Sequence, residues 1–217
     1  MLDDLLSKTA WKERIERLAA RLEGKVTPNQ LTVLALLTGL GGAACVAVSR
    51  YALTGALLVT AVGLMVASFF FDVLDGSLAR STGQTSTFGS IADVFFDRLV
   101  EVAVLVALAS TDPSTLLWPA LCSAAATVLC ITIYLLVGAA YKQVAPTETQ
   151  KLLYNSRGLM ERGETEAFLV LATAWVGARA WILWVFAALV LFTALQRFRI
   201  AHSLFRRADS KSKPEFF

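Results

Sequence analysis

The run Asp72-Val73-Leu74-Asp75-Gly76-Ser77-Leu78-Ala79-Arg80, followed by eight residues, Gly89, three residues, Asp93, three residues and Asp97, lies where two apolar segments meet. One segment, Ala52 to Leu78, leads into it, and another, Phe88 to Ser110, leads out. Both exceed the ~20 residues that carry a helix across a bilayer. Ionisable groups at membrane depth are costly and mark function. Asp72 and Asp75 are three apart and Asp93 and Asp97 four apart, spacings that put each pair on one helical face. The short connection Ser81 to Thr87 makes the helices antiparallel neighbours, so four carboxylates are expected to converge at one end of the second and third spans. Like charges that close either take up protons or recruit cations. Oxygen-only ligands select hard ions such as magnesium, manganese or calcium. Four carboxylates can hold two such ions, and a two-metal site clamps both oxygens of an in-line phosphoryl displacement. The expected substrate carries a diphosphate.

The rest of the chain supports a membrane protein. Of its 217 residues, 56% are hydrophobic and 17% charged, with a mean hydropathy of +0.61. A soluble domain of this length carries more charge. The expected fold class is all-α and integral to the membrane, with six transmembrane helices: Leu31–Ser49, Ala52–Leu78, Phe88–Ser110, Leu116–Tyr141, Thr165–Ala178 and Trp181–Phe205. Residues 1–26 form a juxtamembrane segment, 27–205 the catalytic domain and 206–217 a basic tail expected to fray. Trp11, Ile15, Leu18 and Leu22 recur on one helical face opposite Lys8, Lys12, Arg14, Arg17 and Arg21. That pattern suits an amphipathic helix in the membrane interface, or a helix packed on a neighbouring subunit. The charged start reads against a cleavable signal peptide.

Six spans put both termini on one side. With that side cytoplasmic, the external loops hold only Arg50 and Arg179 of the 20 basic residues, as the positive-inside rule requires. The aspartates then face the cytoplasm. Trp118, Trp175, Trp181 and Trp184 fall near the outer boundary, where an aromatic belt is expected. Cys45, Cys122 and Cys130 lie in apolar stretches without metal-site spacing, and His202 is the one histidine, so no zinc site is expected. Nothing in the pattern implies a nucleic-acid partner.

Gly76 follows Asp75, and Gly89 precedes Asp93 by four. Glycine inside a helix costs about 1 kcal/mol relative to alanine, so each has a reason: close approach of a ligand or close helix packing. Arg80, at the helix end, can meet a phosphate with its fork of donors. Glu101 shares the face of Asp97 and either adds a ligand or pairs with Arg98.

The full pattern from Asp72 to Asp97 resembles the signature of the CDP-alcohol phosphotransferase (CDP-alcohol phosphatidyltransferase) family, and the six-span layout with an N-terminal amphipathic helix is similar too. The resemblance implies that Asp72, Asp75 and Asp93 bind two divalent ions, Mg2+ or Mn2+, with Asp97 completing the cluster and acting as general base on an acceptor hydroxyl. It implies that Gly76, Ala79 and Gly89 line a cytidine pocket, that Arg80 contacts the diphosphate, that CMP leaves, and that the enzyme is a homodimer. The partners would be a CDP-lipid donor, a small polar alcohol and membrane lipid, in phospholipid biosynthesis. Thr27-Pro28-Asn29-Gln30-Leu31-Thr32 also resembles the family. Thr27 and Pro28 suit a helix start, and Asn29 is a candidate nucleotide contact.

Lys142, Arg157, Arg162, Arg197 and Arg199 are candidate acceptor contacts, since several cations suit a phosphorylated acceptor. Topology also places Lys and Arg there. Gly158-Leu159-Met160-Glu161-Arg162-Gly163-Glu164 resembles the inositol-phosphate-using branch, although Thr165 stands where that branch carries a second arginine. Inositol 1-phosphate is the expected acceptor, with glycerol 3-phosphate and serine as alternatives. Membrane prenyltransferases, whose acidic motifs lie far apart, and cation transporters, whose acids spread through membrane depth, fit the clustered aspartates less well.

Overall fold

The computed structural model describes residues 10–51, 54–144, 160 and 162–212. Seven α-helices lie among them: α1 (Ala10–Leu22), α2 (Pro28–Val48), α3 (Thr54–Ser81), α4 (Thr87–Thr111), α5 (Pro113–Val144), α6 (Arg162–Ala174) and α7 (Arg179–Ser212). A 3-10 turn, Val176–Ala178, joins the last two. Four segments are long and apolar enough to cross a membrane: Pro28–Val48, Thr54–Ser81, Pro113–Ala140 and Val176–Ser203. The other two expected spans are helical but differ for physical reasons. α4 carries Asp93, Asp97, Arg98 and Glu101 within its first fifteen residues, and α6 has only 13 residues before the chain tightens into the 3-10 turn. At the far end, α7 runs on to Ser212, past the boundary expected at Phe205.

Helix ends are set by local chemistry. Thr27 caps α2 in a capping box, its side chain accepting from the Gln30 N–H while the Gln30 side chain accepts from the Thr27 N–H. Past the end of α3, Gly83 takes a positive φ of 66°, and the Gln84 N–H reaches back to the Ala79 carbonyl at 3.0 Å. This Schellman turn needs glycine at that position, and it ends α3 at Ser81, one residue after Arg80. Ser86 then caps α4 by accepting from the Gly89 N–H at 2.9 Å.

The helices pack around α2. α3 and α4 each lie against it, α5 pairs with α7, and α6 touches α3, α4 and α7. Ala43, Val46, Met65, Val104, Leu108 and Leu169 form the centre of the core. α2 is built for close approach: a Cβ on Gly39 would lie 2.7 Å from Val100 Cγ1, and one on Gly42 would lie 3.2 Å from the Ala61 carbonyl. Small residues let membrane helices meet backbone to backbone in this way.

Two expectations are corrected. α3 and α4 are consecutive but make at most marginal direct contact; each packs on α2 instead, leaving a gap on their carboxylate-bearing sides. Mutual repulsion of the aspartates gives such a gap a physical reason. Secondly, the apolar stripe of α1 faces the protein's own α3: Ile15 and Ala19 are buried with Leu31, Leu74 and Leu78, and Leu18 and Leu22 pack beside them. Glu13, Arg14, Glu16 and Arg17 are exposed.

Arg50 and Arg179 share the end of the bundle opposite the aspartates and line one cavity there with Asp112 and Trp181. Arg179 is not a plain loop charge. It is 5% exposed and donates to the carbonyls of Ala172 and Thr173, both at 3.1 Å, closing the C-terminus of α6. Trp118, Trp175, Trp181 and Trp184 are all exposed.

Candidate active site

The site is the gap between α3 and α4. Asp72 and Asp75, one turn apart on α3, face Asp93 on α4, and these three carboxylates each present an oxygen within 4.8 Å of the others. A group of acidic oxygens this tight, with no nitrogen or sulfur donor, fits a hard divalent cation. Asp75 is fixed from α2: the Thr32 hydroxyl donates to its Oδ2 at 2.6 Å. The Ser68 hydroxyl donates to the Ala35 carbonyl at 2.7 Å and ties α3 to α2 one turn before Asp72.

Asp97 reaches the site through a cation. The guanidinium of Arg162, at the first residue of α6, forms ion pairs with Asp72 and Asp97 and lies 3.7 Å from Asp93. One arginine thus bridges carboxylates of both aspartate helices. Its side chain is 29% exposed, against 10% for Asp72 and 17% for Asp97, so the pairs are mostly withdrawn from water. A cavity with room for about one water, 20 Å³, is lined here by Asp72, Asp93, Asp97, Arg162 and Glu166.

A second cavity of about 200 Å³ opens beside the first and shares Thr32 and Asp93 with it. Asn29, Gly76, Ala79, Arg80 and Gly89, singled out from sequence, all line it. Asp75 lies at its inner edge, and Gln84, Thr85, Ser86 and Ser90 supply further polar groups. The glycines are tight for different reasons. A Cβ on Gly76 would come within 3.3 Å of Arg80 Nη1, and one on Gly89 within 2.9 Å of the capping Ser86 Oγ.

Glu101 pairs with Arg98 at 2.5 Å and is not among the close acidic group, which decides between its two alternatives. Arg197 does not line either cavity. It donates to Cys130 Sγ at 3.3 Å and stacks over the Tyr134 ring at 5.0 Å, so a cation read as an acceptor contact is here held by α5. Lys142 lies near the end of α5, and Arg157 lies outside the described residues. Arg199 is exposed. Thr32, Ser68 and Glu166 were not singled out. Thr32 stood in the quoted motif without a role, because its partner is 43 residues away and capping explained its neighbours. Glu166 follows Arg162 by four on α6, a same-face spacing that was legible.

Known proteins share both sequence and shape. The archaetidylinositol phosphate synthase of Pyrococcus horikoshii is 37% identical over 99 residues, covering 45% of this chain and 49% of that protein. The phosphatidylinositol phosphate synthase of Corynebacterium glutamicum is 33% identical over 96 residues, 44% of this chain and 40% of that one. The chain thus matches about half or less of these relatives' length. The fold is that of Mycobacterium tuberculosis phosphatidylinositol phosphate synthase (PgsA1), solved with CDP-DAG bound, at a TM-score of 0.67 and 20% identity over 86% of this chain and 92% of that one. PgsA1 solved in complex with manganese and citrate superposes at 0.68, also with 20% identity, over 87% and 89%. Residues 25–195, a stretch that begins just before the Thr27 cap and holds every aspartate of the gap, match the model of the CDP-alcohol phosphatidyltransferases, and the chain belongs to that family.

Proposed function

We propose that this chain transfers the phosphatidyl-type group of a CDP-linked lipid to inositol 1-phosphate, releasing CMP, in phospholipid biosynthesis. The observation that carries the reading is a cluster of carboxylates able to hold a hard cation, Asp72, Asp75 and Asp93, beside a polar-lined cavity of about 200 Å³ and in reach of the Arg162 guanidinium. The family and the named inositol-phosphate synthases among the relatives support the same chemistry.

Asp72, Asp75, Asp93 and Asp97 would hold two divalent ions, Mg2+ or Mn2+. When bound, such ions neutralise the diphosphate and the developing charge on the leaving CMP. Asn29, Gly76, Ala79 and Gly89 shape the cytidine pocket, and Arg80 binds the diphosphate. Asp97 accepts the proton of the acceptor hydroxyl. The acceptor oxygen then bonds to the lipid-side phosphorus as the bond from that phosphorus to the bridging oxygen breaks, and CMP departs with the electron pair. Arg162 binds the acceptor's phosphate, with Lys142 and Arg157 as further candidate contacts. Serine, which has no phosphate, makes less use of these groups.

The enzyme works as a homodimer in the cell membrane. α4 and α6 complete the six spans, α1 lies at the cytoplasmic face, and the site opens there. The test is CMP release from CDP-diacylglycerol and from its archaeal ether analogue with Mg2+ or Mn2+. Inositol 1-phosphate, glycerol 3-phosphate and serine are supplied separately, beside Asp97→Asn. Turnover with inositol 1-phosphate, lost in the variant, is expected. Turnover with glycerol 3-phosphate or serine alone overturns the acceptor, and failure to bind either CDP-lipid with metal overturns the chemistry.

A further inference from the structure

Arg162 and the metals compete for the same oxygens. The guanidinium pairs with Asp72 and Asp97 and lies 3.7 Å from Asp93. Divalent ions at those carboxylates need their lone pairs and repel a cation placed among them. Arg162 therefore has to move when metals bind. Its movement is restricted, because it is largely buried and fixed to the first turn of α6. An arginine driven from one set of carboxylates into an apolar surround needs another anion, since an unpaired buried charge is strongly destabilising.

Glu166 is placed to be that anion. It follows Arg162 by four on α6, so the two share one face. Side chains on a helix lean toward its N-terminus, which carries Glu166 back over the turn of Arg162. Glu166 lines the same small cavity as Arg162 and Asp97. Arg98 is held by Glu101 at 2.5 Å, and Arg197 by Cys130 and Tyr134.

We propose that Glu166 is a positioning residue that receives the Arg162 guanidinium when metals load the aspartates, keeping it beside Asp97 for the acceptor's phosphate. The role in acceptor binding rests on the proposed function; the exchange of Arg162 for metal does not. The site is thereby loaded in order. Metals displace the arginine, and the displaced arginine becomes available to the acceptor.

The test is a double-mutant cycle on the full-length protein, read by electron paramagnetic resonance titration with Mn2+ alone. Glu166→Gln is expected to weaken Mn2+ binding about tenfold, within the usual range for coupled sites, because Arg162 loses its alternative partner. Arg162→Gln is expected to tighten it. In the Arg162→Gln background, Glu166→Gln is expected to have no further effect. A Glu166 effect of equal size in both backgrounds overturns the proposal, since a structural or metal-ligand role predicts that. Glu166→Asp, which keeps the charge, should recover most of the affinity and reads the same cycle if the glutamine variant does not fold. In turnover, Glu166→Gln should raise the acceptor KM about tenfold and leave kcat at saturating metal nearly unchanged. A non-additive Mn2+ cycle without turnover of inositol 1-phosphate upholds the exchange and sinks the acceptor; turnover with an additive cycle does the reverse.

Discussion

Gly39→Ala tests whether α2 sets the width of the site. The new Cβ would lie 2.7 and 2.8 Å from the two Val100 methyls and 2.9 Å from Ser68 Oγ. Ordinary carbon contacts are 3.5–4.0 Å, so α2 must separate from its neighbours by about 1 Å. Neither obstacle yields easily. Val100 is β-branched and stiff at χ1, and the Ser68 hydroxyl is held on the Ala35 carbonyl at 2.7 Å. Overpacking of this kind costs about 1–3 kcal/mol, offset by up to about 1 kcal/mol of helix propensity. The expected net loss of about 1–2 kcal/mol should appear as faster thermal inactivation in detergent. The catalytic effect should be larger. Val100 lies three residues beyond Asp97 and Ser68 four before Asp72, so the displacement falls one turn from carboxylates on both sides of the gap. A misplacement of ~1 Å costs about 100-fold in rate. Adding Val100→Ala removes both methyls and should return about tenfold of the lost CMP release, while Ser68 keeps the recovery partial. Unchanged activity and stability in Gly39→Ala, or a Val100→Ala change that only deepens the defect, would refute the spacer role of α2.

Other outcomes follow from single contacts. Thr32→Val removes the donor to Asp75; a hydrogen bond to a charged group is worth about 1.5–3 kcal/mol, so metal affinity should fall about 10- to 100-fold in a Mn2+ titration. Gly83→Ala forces a side chain into the left-handed turn after α3, costing about 1 kcal/mol, with a lower thermal midpoint and a weaker CDP-lipid affinity because Arg80 is three residues away. Chelation by EDTA should abolish CMP release and restoration of Mn2+ should return it. At the opposite end, the hydroxyls of Ser114 and Thr115 hold the Asp112 carboxyl below its usual 3.8. A depressed folded value contributes stability above the unfolded one and loses it as pH falls through the folded value, so Asp112→Asn should flatten the acid limb of a stability profile.

Much of the site was legible because its residues sit at fixed spacings on two helices. Asp72, Asp75, Asp93, Gly76, Ala79, Arg80 and Gly89 are ordered by helical period and one short turn, and those quantities are local. What the sequence left out depends on contacts distant in the chain. The separation of α3 from α4 is imposed by α2, whose glycines read as generic membrane packing until their neighbours are known. The Thr32–Asp75 bond spans 43 residues, and Arg162 meets Asp97 across 65. The amphipathic face of α1 was readable, but periodicity does not say whether its partner is lipid or protein. Charge rules placed Arg179 in a loop and could not see that it closes the end of α6.

The order of these parts along the chain has an evolutionary reading. Every wall of the larger cavity comes from residues 28–93, whereas Arg162 arrives from beyond α5. With the roles proposed above, recognition of the donor and recognition of the acceptor fall in consecutive blocks of the chain. A lineage can exchange its polar headgroup by altering the second block and leave the first intact. Chimeras joined within α5 are the natural way to retrace that divergence, with the donor half as the constant part and the product headgroup as the trait that segregates.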